Sequence, residues 1–150
     1  MRSALRSIAA VVVGFIAASI VMMIVEAING HVLYPELGKA AQGMTDREAI
    51  RTLMAKAPVG AFVVVMVGWI LGALVGGWTA ARLAGRAKIG HGLVLGALLT
   101  LAGVANNLML PPPLWFWIAS LAVLLPAAYL GARLAPVRKE RSEKIGGDLE

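Results

Sequence analysis

The sequence predicts an all-α, polytopic membrane protein: a bundle of four transmembrane helices with both termini in the cytoplasm. Three observations carry this expectation. Hydrophobic residues make up 59% of the chain and charged residues 15%, against about 45–50% and 25% in a soluble domain. Several stretches without any charge are long enough to cross a bilayer. Three consecutive prolines, Pro111, Pro112 and Pro113, interrupt the longest of these.

A crossing helix needs about 20 mostly apolar residues. No charge occurs from Ser7 to Val25, which places the first span at about 7–28. None occurs from Ala57 to Ala81, which gives a second at about 58–83. The third uncharged run, Ile89 to Ala132, has 44 residues, about 66 Å as helix at 1.5 Å per residue. That is two crossings. Proline cannot continue a helix, so the triplet turns the chain between spans at about 90–110 and 114–134. The N-terminus, with Arg2 and Arg6, has some features of a secretory leader. Its apolar core is too long and Glu26 suits a cleavage site badly, so a retained anchor is expected.

Lysine and arginine set the orientation. Ten lie on one side: Arg2, Arg6, Arg82, Arg86, Lys88, Arg133, Arg138, Lys139, Arg141 and Lys144. Four lie on the other, Lys39, Arg47, Arg51 and Lys56, spread over an outer loop at 29–57. The net charge of +6 is therefore an orientation signal, and nucleic acid is not expected as a partner. The tail, 136–150, mixes acids and bases and reads as disordered.

In the outer loop, Tyr34-Pro35 and Gly38 read as irregular chain. Thr45-Asp46-Arg47-Glu48 then matches a capping box. Ile50, Leu53, Met54 and Ala57 follow at helical spacing, predicting a short amphipathic helix.

Transmembrane helices associate through small residues that let backbones approach. Span two carries Gly68, Gly72, Gly76 and Ala80 on one i+4 ridge. Span one carries Gly14 and Ala18, in line with Met22 and Glu26. Span three carries Gly96 and Gly103, in line with Asn107. The spacing does not say whether these ridges meet within the chain or between copies.

Glu26 and Asn107 are both about 5 Å inside the outer boundary. Spans one and three run the same way. A polar cluster of Glu26 with Asn107, and with Asn106 about 100° away, is therefore expected near the outer face. An intramembrane acid with a polar partner is either a functional site or a structural hydrogen bond. Trp115 and Trp117 at the outer boundary, and Trp78 and Tyr129 at the inner one, read as interface anchors. Trp69 falls deep in span two, either facing lipid or lining a cleft. Trp78-Thr79-Ala80-Ala81-Arg82-Leu83-Ala84 echoes Tyr129-Leu130-Gly131-Ala132-Arg133-Leu134-Ala135, a weak sign of an internal repeat.

The absence of cysteine from the sequence excludes disulfides, thiolate sites and thiol catalysis. Two distant histidines, His31 and His91, do not make a metal centre, and no pattern calls for a cofactor. No nucleophile–base set or phosphate loop is present, so an enzyme is not expected.

The chain resembles a group of small four-span bacterial inner-membrane proteins without an established activity. The resemblance covers about residues 8–135. It rests on the acid at the end of span one followed by Tyr34-Pro35, and on Gly68-Trp69-Ile70-Leu71-Gly72, Gly76-Gly77 and Ala80-Ala81-Arg82. It continues through Gly103-Val104-Ala105-Asn106-Asn107-Leu108-Met109-Leu110-Pro111 with Pro113-Leu114-Trp115-Phe116-Trp117, and ends on Leu125-Pro126 and Gly131-Ala132-Arg133-Leu134-Ala135. The group has a histidine between the outer prolines where this chain has Pro112. The resemblance implies a four-helix inner-membrane protein and no catalytic residue.

The expected function is that of a non-catalytic accessory, assembly or structural membrane subunit. Its expected partners are the lipid bilayer and either a larger membrane complex or further copies of itself. The alternative is a small transporter or channel that uses Glu26 and Asn107.

Overall fold

The computed structural model describes residues 2–85 and 87–136. Arg86 and the tail from 137 to 150 lie outside the described residues, and with them five of the ten orienting cations. Helices α1 (Arg2–Ile28), α4 (Val59–Ala84), α5 (Lys88–Met109) and α6 (Leu114–Leu134) are the four long apolar helices, each able by length and composition to cross a membrane. Two short helices, α2 (Pro35–Ala41) and α3 (Arg47–Lys56), lie between α1 and α4. The fold is an all-α four-helix bundle.

The first span is longer than expected. α1 continues as a π turn, Asn29–Leu33, closed by Tyr34 N–H donating to Asn29 O at 2.8 Å. The Asn29 side chain turns inward instead and donates to Ala61 O at 3.2 Å, tying this turn to α4. The segment expected to be irregular is helical too. Pro35 suits the first position of α2 because its missing N–H has no helical role there. Gly38 packs on Gly30 so closely that a Cβ would strike the Gly30 carbonyl. The capping box does not form. Asp46 caps α3, accepting from Ala49 N–H at 2.7 Å, because a short carboxylate competes strongly for that position. Thr45 lies outside the helix.

The two ends of the bundle are distinct. Arg6 Nε donates to Leu83 O at 3.1 Å, and Lys88 Nζ donates to Ala135 O at 3.1 Å and to Pro136 O. Each cation thus meets the unsatisfied carbonyls and negative dipole end of a helix, α4 or α6. Gly85, at φ 73°, closes α4 in the left-handed conformation that glycine adopts freely. At the opposite end, Asp46, Arg47, Glu48 and Arg51 border a groove with Pro111 and Pro112. This end is the loop side of the bundle.

Packing joins the ridges within the chain. α1 lies antiparallel along α4. A Cβ on Gly14 would come 2.8 Å from both Gly76 O and Ala80 Cβ, and one on Gly72 would come 2.8 Å from Ala18 O. α4 and α6 run parallel, with Gly77 against the Ala128 carbonyl and Gly131 against the Leu74 carbonyl. α5 lies along α6, with Gly92 against Ala132 and Gly96 against Leu125 and Ala128. Ala18, Ala73, Ala80, Leu95 and Ala128 are wholly buried where these seams converge. α1 and α5, in contrast, touch only lightly.

Candidate functional site

The light contact between α1 and α5 leaves a cleft of about 230 Å³. α1 supplies Phe15, Ser19, Met22 and Glu26 to one wall, and α5 supplies Leu99, Gly103 and Asn106 to the other. Trp69 of α4 and Leu124 of α6 form the floor. Three turns of α1 separate Glu26 from Phe15, so the lining passes from polar at the loop side to apolar at depth. Ser19 adds little polarity, since its hydroxyl donates to Phe15 O at 2.9 Å.

Trp69 is 4% exposed and donates its indole N–H to Glu26 Oε1 at 3.3 Å. Of the two readings open for Trp69 in the sequence, the structure has the cleft. Its ring is fixed by Phe116, edge-on at a centroid distance of 5.9 Å. Phe116 in turn meets Phe62 at 5.3 Å and Trp115 at 5.8 Å. This aromatic chain runs from the surface to the indole, so Trp69 is held by packing. Trp115 belongs to it while remaining 39% exposed.

The expected pairing of Glu26 with Asn107 is not what the structure shows. Glu26 bonds Trp69, and Asn107 is on the buried face of α5 that packs on α6. Asn107 is 1% exposed and donates to Ser120 Oγ of α6 at 3.4 Å, leaving its own Oδ1 without a partner among the described residues. The reason is the identity of the neighbour. Asn107 shares the small face of α5 with Gly92 and Gly96, and that face is spent on α6. Asn106, about 100° around the helix, is the residue that shares the cleft with Glu26.

The remaining sequence candidates fall as follows. Gly68, Gly72, Gly76 and Ala80 face Val25, Met22, Ala18 and Gly14 across the α1/α4 seam. Gly96 and Gly103 face α6, with Gly103 also touching the Trp69 ring. Trp78 lies under the Arg82 guanidinium at 4.8 Å, and Tyr129 under that of Arg133 at 5.8 Å. The echo at the ends of α4 and α6 is thus repeated in three dimensions, as one cation–aromatic pair on each helix. Trp117 is half-buried.

No family model, curated protein or solved structure matches this chain. The chemistry open to the cleft is that of its own residues. It offers a carboxyl group with one oxygen engaged, a primary amide, and an apolar channel that opens sideways between two helices.

Ser120, Asn29, Phe62 and Phe116 were not singled out by sequence reasoning. Ser120 is the only serine or threonine in α6, and a lone hydroxyl in a span is a signal for a buried polar partner. Phe62 and Phe116 carry no such signal, since apolar rings in apolar helices look alike on either face.

Proposed function

We propose that this chain is a non-catalytic integral membrane protein that acts by binding within the bilayer, as an accessory or assembly subunit or as a protein of the lipid environment. The observation that carries this reading is the α1/α5 cleft. It opens toward lipid, with its carboxyl and amide groups at one end and its one deeper hydroxyl, Ser19, bonded to its own helix. The basic residues at the opposite end support placing both termini in the cytoplasm, and with them an inner-membrane location.

A transport role draws on Glu26 at the cleft mouth. The packed glycine and alanine seams beneath it support binding over passage, because they give a solute no path through a single copy. The deciding experiment is purification in mild detergent with mass spectrometry of bound proteins and lipids. A bound species retained by the parent chain and lost on Ala102→Phe, which fills the cleft wall, is the expected result. A pH-dependent flux in vesicles, abolished by Glu26→Gln, would overturn it in favour of transport.

A further inference from the structure

We propose that the α1/α5 cleft holds a phospholipid with a primary ammonium headgroup, phosphatidylethanolamine in chemistry. The ammonium lies on Glu26 and the upper part of one acyl chain lies along α1. The inference rests on the binding role proposed above and names the ligand.

The headgroup follows from the partners of Glu26. Glu26 is exposed at the mouth of the cleft, and a carboxylate in that position on a membrane helix is costly unless it is paired. Among the described residues its bond is to the neutral indole of Trp69, through one oxygen. Among the described residues the one ion pair is between Lys39 and Glu36, on the exposed helix α2. Asn106, the other polar group at the mouth, is also neutral. A cationic donor from outside the chain completes the site. Phosphatidylcholine has a cation without an N–H. Quinones offer only acceptors in their oxidised form. A primary ammonium supplies both charge and donor, and the Asn106 amide can donate to the phosphate beside it.

The tail follows from shape. At about 230 Å³ the cleft falls below the roughly 300–1,000 Å³ of ordinary small-molecule sites. That volume is too small for even a short piece of a partner helix about 10–12 Å across. From Glu26 to Phe15 is about 16 Å along α1 at 1.5 Å per residue, which suits a single extended alkyl segment. Glu26 is at the loop-side end of the cleft, about two turns of helix below the end of the span at Leu33, and the chain would descend from it over Met22 to Phe15.

Trp69, on the cleft floor, supplies the readout. The full chain carrying Trp78→Phe, Trp115→Phe and Trp117→Phe is placed in phosphatidylcholine vesicles. Phosphatidylethanolamine and phosphatidylcholine with brominated chains are the quenching probes. Trp69 fluorescence should be quenched preferentially by the ethanolamine lipid, with an association constant about two- to fivefold higher, the range of a partly screened ion pair. Glu26→Gln should bring the two lipids level, and Ala102→Phe should lower quenching by both. The four-tryptophan parent, measured with and without Glu26→Gln, gives the same difference above a common background if the triple substitution fails to fold. Equal quenching by both lipids in the parent overturns the headgroup assignment. Quenching indifferent to Ala102→Phe overturns the cleft as the site. Failure of the binding role itself is distinguishable: neither brominated lipid would quench Trp69 in a way that Ala102→Phe reduces, and the vesicles would instead show a pH-dependent flux that Glu26→Gln abolishes.

Discussion

Gly14 and Gly76 each face the other's carbonyl. A Cβ on Gly14 would lie 2.8 Å from Gly76 O, and one on Gly76 would lie 2.7 Å from Gly14 O. At each site the nearest atoms are a backbone carbonyl oxygen and an alanine Cβ, and neither can yield. Two helix backbones are in direct contact here, and such contact takes the place of the hydrophobic drive that lipid does not provide. Gly76→Leu should therefore lower stability by at least the roughly 1–3 kcal/mol of an overpacked core. Val75→Leu, one position away and 40% exposed, should have little effect. Thermal unfolding of the two variants in the same detergent makes the comparison. Equal midpoints would place the α1/α4 seam elsewhere.

The bond between Trp69 and Glu26 makes a second claim, about coupling. Residues that share a hydrogen bond lose stability non-additively when both are changed. Trp69→Phe with Glu26→Ala should show a coupling of about 0.5–1.5 kcal/mol, the net worth of one such bond. Glu26→Ala with Asn107→Ala should be additive, because Asn107 is bonded to α6. Unfolding free energies of both cycles are the measurement. Coupling only in the second cycle would restore the pairing that helical spacing suggested.

Asn107 and Ser120 form a buried pair in which breaking one partner is worse than removing both. Ser120→Ala leaves the Asn107 amide buried with no acceptor, at a cost of about 1–3 kcal/mol. Adding Asn107→Leu, similar in volume and fully apolar, should recover much of that loss. The order of stabilities checks this: parent, then double variant, then Ser120→Ala. A double variant less stable than Ser120→Ala would mean that Asn107 is held by something other than Ser120.

Much of this architecture is legible in the sequence, for identifiable reasons. The spans follow from runs without charge, and the small ridges from i+4 spacing, because both signals are local and periodic. What periodicity leaves open is the neighbour. The face carrying Asn107 is buried as its small residues imply, yet it meets α6 instead of α1, and that single choice moves Asn106 into the cleft with Glu26. Ridge positions on α1 show the same limit. Ala10, Gly14 and Ala18 are buried, while Glu26 on the same line emerges at the cleft mouth. Caps are subtler still. Thr45 and Asp46 are both good acceptors, and a one-residue shift decides between two motifs. The π turn at 29–33 is the least legible, since it depends on Asn29 reaching Ala61 on a helix about thirty residues later.

Arg6 and Lys88 bear on how the bundle sits in its membrane. Both are among the cations that set orientation, and both also close helix ends, at Leu83 and Ala135. The end that carries them should face the cytoplasm. The cysteine-free sequence makes this directly measurable. Ala40→Cys, on exposed α2, and Gly90→Cys, on the first turn of α5, are labelled in intact cells with a membrane-impermeant maleimide. Position 40 should react and position 90 should react only after the membrane is permeabilised. Arg6→Gln should leave that pattern unchanged, because Lys88 and the other cations remain, while lowering stability by about 0.3–1 kcal/mol through loss of one helix-end charge. Labelling of position 90 in intact cells, with position 40 protected, would invert the topology.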